Sequence, residues 1–244
     1  MKDISWLKTD LIAHRGFHKA DLSIPENTIS AFKEAIKYGY SIEFDINILK
    51  DGHIVVFHDH HLKRLFGIDK SLDTLTYDDI KALRFPNGDH IPLLEEVLDF
   101  IDGKYNCLIE LKPHGNVKRL CKYFMDIMKN YHGNYAVFSF HPKVVHILKK
   151  EYPHVIRGQI SEYFKDDLNM PKFIKFLMKR MMFNRFTKPD FISYGINDMP
   201  NKYLDKLKKK GITVISYAAR NQSSFDFVKS HYDNVVFEYF HPKI

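Results

Sequence analysis

The feature that most constrains this chain is the regular alternation of short β-branched or aromatic runs with longer helical patterns. Strands that alternate with helices pair in parallel through crossover connections. Eight such units close naturally into a TIM (β/α)8 barrel, the α/β fold class that we predict. The predicted strands are Asp10–Ala13, Ser41–Leu49, Tyr105–Leu111, Tyr135–Phe140, Val155–Ile160, Asp190–Tyr194, Ile212–Tyr217 and Asn234–Glu238.

The segments between these strands show apolar residues three or four positions apart, which is typical of amphipathic helices. A doubly wound open sheet is the structural alternative. The phosphate-binding GxGxxG pattern that usually follows the first strand of such a sheet is absent, and this favours the barrel. The predicted helices are Thr28–Tyr38, Leu93–Asp102, Val117–Asn130, Pro142–Lys149, Pro171–Phe183, Asn201–Lys210 and Ser223–Ser230.

One departure from the alternation follows the second strand. Lys50-Asp51-Gly52 is a turn signal, and His53–Phe57 is typical of another short strand. Residues 60–92 are too long for a βα loop and contain a predicted small helix at Tyr77–Leu83. The chain has 244 residues, which suits a single barrel. We therefore predict one domain over residues 1–244, with an inserted subdomain at 60–92.

Basic charge is concentrated in one segment of the chain. The net charge is +7, and residues 168–189 hold six Lys or Arg and no Asp or Glu. The remainder is nearly neutral, which argues against a nucleic-acid partner. Apolar residues alternate with the six cations. This pattern fits either an outer helix with a solvated basic face or a segment in weak contact with an anionic membrane.

Membrane spans and export signals are not visible in the sequence. No apolar run approaches the roughly 18–20 residues of a transmembrane helix, and the N-terminal residues lack a secretory pattern. The two cysteines, Cys107 and Cys121, form neither a disulfide framework nor a CxxC metal motif. We expect a cytoplasmic protein; the sequence leaves its oligomeric state open.

Carboxylates recur on one face of two predicted strands. Glu43, Asp45 and Asn47 alternate with apolar residues, and Glu110 shares a face with Lys112. Three inward carboxylates would repel one another and be costly to desolvate, and a divalent cation would relieve both costs. Oxygen ligands favour Mg²⁺, Ca²⁺ or Mn²⁺ over Zn²⁺. From alternation alone, the solvated face of an antiparallel sheet fits equally well.

Other polar residues lie at or just beyond predicted strand ends, the face of a barrel where catalytic groups lie. His14 and His58 are suited to acid and base roles because imidazole titrates near neutral pH. Arg15 and Lys112 are suited to binding an anion such as phosphate.

The order and spacing of several short motifs resemble the glycerophosphodiester phosphodiesterase family. The resemblance is strong over roughly residues 10–160 and thin afterwards. The matching motifs are His14-Arg15-Gly16, Pro25-Glu26-Asn27-Thr28, Ile42-Glu43-Phe44-Asp45, Lys50-Asp51-Gly52, Val55-Val56-Phe57-His58-Asp59, residues 91–98 and Ile109-Glu110-Leu111-Lys112.

The resemblance implies a TIM-barrel hydrolase that uses a divalent metal, Mg²⁺ or Ca²⁺, to cleave glycerophosphodiesters to glycerol 3-phosphate and an alcohol. It implies that residues 60–92 correspond to the family's small insertion, which overhangs the glycerol end. It also implies roles for individual residues: Glu43, Asp45 and Glu110 as metal ligands with Glu26 near or in the shell, His14 and His58 as the acid/base pair, Arg15 and Lys112 on phosphate, and Asn27 as an orienting group.

The C-terminal third departs from the family pattern. Where relatives have a strand that carries Trp, this chain has residues 214–219, and we expect Tyr217 to take the stacking role against glycerol. The basic segment 168–189 leaves open a phospholipase-D-like or lysophospholipase-D-like activity on lipids. A non-catalytic anion- or membrane-binding module is a further alternative. The intact histidines and carboxylates argue against it.

Overall fold

A computed structural model describes residues 2–244, and its strands and helices alternate as predicted. Met1, where the predicted domain begins, lies outside the described residues. The strands are β1 (Ile12–Ala13), β2 (Ser41–Ile48), β3 (Ile54–Val56), β4 (Cys107–Leu111), β5 (Tyr135–Ser139), β6 (Ile156–Ser161), β7 (Phe191–Gly195), β8 (Thr213–Ala219) and β9 (Asn234–Phe237). The helices are α1 (Trp6–Thr9), α2 (Ile29–Lys37), α3 (Lys63–Phe66), α4 (Tyr77–Ile80), α5 (Leu94–Ile101), α6 (Val117–Met128), α7 (Pro142–Glu151), α8 (Lys172–Lys179), α9 (Asn184–Thr187), α10 (Lys202–Lys208) and α11 (Gln222–His231).

Residues 12–135 form one compact unit. In this unit β2 pairs in parallel with β1 and β4 and antiparallel with β3. Every residue of β2 is buried, because both faces of the strand are covered, as is usual in a parallel sheet. The alternative of a solvated face on an antiparallel sheet is therefore wrong for β2.

Residues 60–92 pack on the β2–β3 hairpin of the same unit. Their buried apolar side chains share a core cluster with residues of that hairpin. Asp79 accepts a hydrogen bond from the Thr76 N–H at 2.8 Å and so caps α4 where the sequence predicts a helix start. That residues 60–92 form an inserted subdomain stays a prediction. The cluster contains Leu49, Val55, Phe57, Leu62, Leu72, Leu75, Ile80, Phe85 and Ile91.

The second unit comprises the chain up to Leu11 and residues 136–244. Strands β5 to β9 pair in parallel in chain order. The N-terminal segment is tied to this sheet, because the Asn234 side chain donates to Leu7 O at 3.0 Å and Asp10 O at 2.8 Å. Gly158 on β6 allows close packing: a Cβ there would lie 2.3 Å from the Phe191 ring.

Within residues 2–244, eight parallel strands (β1, β2 and β4–β9) are joined by helices, and the fold class is the TIM (β/α)8 barrel with one additional strand, β3. The doubly wound alternative is wrong. Among these same residues, no helix combines the length and the apolar character needed to cross a bilayer.

Candidate active site

Three carboxylates converge where β2 lies beside β4. Glu43 and Asp45 point to the same side of β2, each 1% exposed, and Asp45 pairs in register with Glu110 on β4. Carboxylate oxygens of all three lie within 4.8 Å of one another. Oxygens at this separation can coordinate one ion. The sequence-predicted convergence of these residues is thus found in the structure.

The three carboxyl groups differ in their electrostatic surroundings. Burial and the neighbouring charges of Asp45 and Glu110 raise the pKa of Glu43. Burial also raises the pKa of Glu110, although Lys112 Nζ lies 2.9 Å from its Oε1. At Asp45 the effect of burial is outweighed by the charges of Lys112, His58 and Arg15, which hold the pKa of that carboxyl well below its usual range.

A divalent cation fits this donor set. Oδ1 of Asp45 is buried and accepts no hydrogen bond from residues 2–244, although Lys112 Nζ lies 3.3 Å away. Coordination of an ion requires all three carboxylates to be ionised, and their charge would then exceed that of the two cations beside them, Arg15 and Lys112. A dication would compensate the excess. Carboxylate oxygens are ligands that Mg²⁺ and Ca²⁺ prefer.

The loop after β1 is fastened to β2. The Arg15 N–H donates to Glu43 Oε2 at 2.9 Å, and the Gly16 N–H donates to Glu43 O at 3.1 Å. Gly16 has φ +74°, and a Cβ there would lie 2.8 Å from the Ala31 backbone carbon. Glycine is therefore required for this loop to approach α2.

Asn27 and Arg15 both contact Asp45. The Asn27 side chain donates to Asp45 Oδ2 at 2.9 Å and accepts from the Asp45 N–H at 3.2 Å, while Arg15 Nε lies 3.4 Å from Asp45 Oδ2. Arg15 (φ +53°) and Asn27 (φ +58°) have left-handed backbone conformations. Asparagine tolerates this region, whereas it is strained for arginine, and such strained residues cluster at functional sites. Both side chains restrict the orientation of the Asp45 carboxylate.

The two histidines border the carboxylates. His14 Nε2 lies 3.9 Å from Glu43 Oε2. His58 directly follows Phe57, whose N–H donates to Asp45 O at 2.9 Å. The side chains of His14 and His58 are 15% and 30% exposed, so both rings are partly accessible to solvent.

Arg64 and Asp59 are site residues that sequence reasoning missed. Arg64 donates to both oxygens of Glu26, at 3.0 and 2.6 Å, and to both oxygens of Asp59, at 2.6 and 3.1 Å. Arg15 Nη1 donates to Glu26 Oε1 at 2.8 Å. Glu26 is thus held between two guanidinium groups, and its role as a metal ligand stays a prediction. The position of Asp59 directly after His58 was the available signal.

Tyr217 lies on β8, in the second unit. Its hydroxyl donates to Glu162 Oε2 at 3.2 Å and to Ser161 O at 3.3 Å. Its ring packs edge-on against Phe140, with 5.9 Å between the ring centroids. These contacts hold the ring in place within its own unit, and a stacking role of Tyr217 on substrate stays a prediction.

Comparison with known proteins identifies the family of this chain. The model of the glycerophosphoryl diester phosphodiesterase family matches residues 14–236. A glycerophosphodiester phosphodiesterase of Caldanaerobacter subterraneus is 34% identical over 170 residues, which cover 64% of this chain and 68% of that protein. A human lysophospholipase D is 34% identical over 135 residues, which cover 49% of this chain and 41% of that protein.

Solved structures share the fold. An Oleispira antarctica phosphodiesterase in complex with the product sn-glycerol-3-phosphate aligns with a TM-score of 0.78 and 20% identity, over 96% of this chain and 94% of that chain. Because the family match extends over nearly the whole chain, the protein belongs to the glycerophosphoryl diester phosphodiesterase family and is a phosphoric diester hydrolase.

Proposed function

We propose that this chain hydrolyses glycerophosphodiesters to glycerol 3-phosphate and an alcohol, with His14 and His58 as the acid/base pair beside one divalent cation. Glu43, Asp45 and Glu110 would hold the cation. The observation that carries the proposal is the convergence of these three buried carboxylates, with His14 Nε2 3.9 Å from Glu43. Family membership, the name of the Caldanaerobacter relative and the Oleispira product complex support the substrate class.

Charge compensation is the first requirement of the reaction. A phosphodiester is an anion, and attack at phosphorus adds negative charge to its non-bridging oxygens. A bound divalent cation would act as a Lewis acid toward these oxygens. Arg15 and Lys112 lie beside the same carboxylates and would add a planar guanidinium and a compact ammonium as donors to phosphate.

Proton transfer is the second requirement. The nucleophile is either water or the glycerol hydroxyl next to the phosphate, and in the latter case a cyclic phosphate forms and is then hydrolysed. In either route one imidazole takes the proton of the nucleophile, and the other gives a proton to the leaving alkoxide. Asp59 Oδ1 lies 2.6 Å from His58 Nδ1, which leaves Nε2 of His58 for the reacting group.

Release of glycerol 3-phosphate from glycerophosphocholine tests this function. We expect turnover by the wild-type chain, loss of turnover in EDTA and recovery with Mg²⁺ or Ca²⁺. His14→Ala and His58→Ala should each lower kcat by roughly 100-fold or more without a change in the circular dichroism spectrum. His132→Ala, at an exposed histidine, is the control. Retained activity in both active-site variants would exclude the acid/base pair.

A second candidate is a lysophospholipase-D-like hydrolysis of lipids with one acyl chain. The human relative named lysophospholipase D favours it, as does the exposed apolar character of residues 168–189. The ratio of kcat/KM for glycerophosphocholine and lysophosphatidylcholine separates the two candidates. Membership in a hydrolase family argues against the non-catalytic module.

That the cation is Mg²⁺ or Ca²⁺ stays a prediction, and so does the cytoplasmic location of the protein. Elemental analysis of the purified chain tests the first, and fractionation of cells that express it tests the second.

A further inference from the structure

Large apolar side chains are exposed along residues 168–189, which we call the basic–aromatic segment. Leu168 is 91% exposed, Phe173 68%, Phe186 62%, Met182 49% and Phe176 44%. Single exposed apolar residues are normal on a protein surface, but a concentration of them marks a surface that contacts something else. The segment lies within the second unit.

The inward side of the segment is fixed by other contacts. Ser161 Oγ donates to Met178 O, and the Tyr194 hydroxyl donates to Lys179 O, each at 2.9 Å. Met178 and Met181 are both 4% exposed. The segment therefore already has a face buried in its unit, and its exposed phenylalanines are not part of that buried face.

Charge adds a second, independent observation. The six basic residues of the segment have no acidic residue among them. The Arg180 guanidinium lies 3.7 Å from the centroid of the Phe176 ring, so cation and aromatic side chain are presented together. Interfacial segments have this composition, because their aromatic rings enter the acyl boundary while Lys and Arg stay at the phosphate level. The six are Lys172, Lys175, Lys179, Arg180, Arg185 and Lys188.

We propose that the basic–aromatic segment docks this chain on the surface of a membrane that contains anionic lipids. The positive charge is complementary to lipid phosphates. It opposes pairing of this surface with the same surface on a second copy of the chain, because two equally cationic faces would repel each other. A membrane also accepts exposed Phe and Met side chains without a shaped pocket. This proposal does not depend on the proposed function.

Co-sedimentation with vesicles tests the proposal. We expect the chain to pellet with vesicles of phosphatidylcholine and phosphatidylglycerol, to bind phosphatidylcholine alone more weakly, and to be released as salt is raised. A chain that stays in the supernatant at low salt would overturn the proposal. A second result would also overturn it: a dimer in sedimentation velocity that Phe173→Ser/Phe186→Ser disrupts, in a chain that does not bind vesicles. That result would assign the surface to a second copy.

Charge variants show whether this segment or the overall charge is responsible. Each cation near an anionic surface contributes roughly a fivefold factor to binding, so Lys172→Gln/Lys175→Gln/Lys179→Gln should weaken binding roughly 100-fold. The control removes three exposed lysines elsewhere, by substitution of Lys206, Lys209 and Lys210 with Gln, and should change binding by less than about threefold. Equal losses in the two variants would mean non-specific attraction and would overturn the proposal.

The aromatic contribution needs its own variants. Phe173→Ser/Phe186→Ser should weaken binding at least roughly tenfold, because two side chains lose their transfer into the interface. Phe100→Ser, at a residue 37% exposed in the other unit, is the control and should bind normally. These variants should hydrolyse glycerophosphocholine as the wild type does. Vesicle binding without any turnover would instead overturn only the proposed function.

Discussion

Nδ1 of His58 lies 2.6 Å from Oδ1 of Asp59, and the same carboxylate accepts two hydrogen bonds from Arg64. Burial alone would raise the pKa of Asp59, but the hydrogen bonds from His58 and Arg64 outweigh it and hold that pKa well below its usual range. The carboxylate is therefore ionised at neutral pH. An ionised Asp59 fixes the ring orientation of His58 and places a proton on Nδ1.

We predict that Asp59→Asn lowers kcat for glycerophosphocholine roughly 10- to 100-fold and leaves KM within about threefold. The amide of asparagine retains the shape of the side chain, but it carries no negative charge with which to accept the hydrogen bond from His58 Nδ1. Steady-state kinetics measures both constants. Asp51→Asn is the matched control, because Asp51 Oδ2 lies 3.0 Å from His53 Nδ1 in another histidine–aspartate pair. Equal losses in both variants would remove Asp59 from the positioning of His58.

Arg64→Gln should lower the free energy of unfolding by about 1–2 kcal/mol, because Glu26 is 6% exposed and would lose one of its two guanidinium partners. The loss is small because the Arg64 side chain is 45% exposed, so solvent screens its interaction with Glu26. Urea denaturation measures the change. Arg84→Gln is the control in the same insertion, because within residues 2–244 its guanidinium donates only to the carbonyls of Lys81 and Leu83. Equal destabilisation of both variants would contradict the prediction.

Substitutions of Gly16 and Gly39 distinguish the cost of an unfavourable backbone conformation from the cost of a steric clash. Both have positive φ, +74° and +71°, but a Cβ on Gly39 would meet nothing within 4 Å, whereas one on Gly16 would collide with Ala31. Gly39→Ala should cost about 1 kcal/mol, and Gly16→Ala about 2–5 kcal/mol together with most of the activity. Thermal unfolding and glycerol 3-phosphate release measure these effects. The prediction fails if the two variants are equally stable.

His114 should make stability fall in mild acid. Its ring stacks on His60 with centroids 3.7 Å apart, and burial, together with the neighbouring His60 and Lys112, lowers the pKa of His114 to about 4 from 6.5. Between these values the unfolded chain binds the proton and the folded chain does not, so stability is lost as pH falls from 6.5 toward 4.

The test compares the midpoint of urea denaturation at a pH above 6.5 with the midpoint at a pH halfway between 6.5 and 4. His114→Gln should lose less stability than the wild type on acidification, whereas His132→Gln, at an exposed histidine, should follow the wild type. An identical pH dependence in all three proteins would rule out His114 as a source of the effect.

Sequence patterns predicted the strands and the carboxylates well because both depend on local alternation. Glu110 and Lys112 were placed on one face, and their side chains are 2.9 Å apart. Helix ends were less accurate: Pro171–Phe183 was predicted, but α8 ends at Lys179, shortly before Met181 takes a left-handed φ of +57°. Helices α1, α3 and α9 have four residues each, too few to show a helical period.

The missed contacts of the site depend on tertiary structure. Arg64 reaches Glu26 across 38 positions of the chain, and no local pattern reports such a contact. Asp59 was recognised within a family motif, but its hydrogen bond to His58 requires a particular ring orientation. Burial likewise emerged only from the fold: a period of two residues groups Glu43 with Asp45 but does not show that both are 1% exposed.

The most direct test is calorimetric titration of the metal-depleted chain with Mg²⁺ and with Ca²⁺. We predict that at least one of these ions binds once per chain, that Asp45→Asn and Glu110→Gln abolish this binding, and that Asp99→Asn, at an exposed carboxylate, binds as the wild type does. Unchanged binding in Asp45→Asn, or full turnover of glycerophosphocholine by a chain that binds neither ion, would contradict a shared cation at Glu43, Asp45 and Glu110.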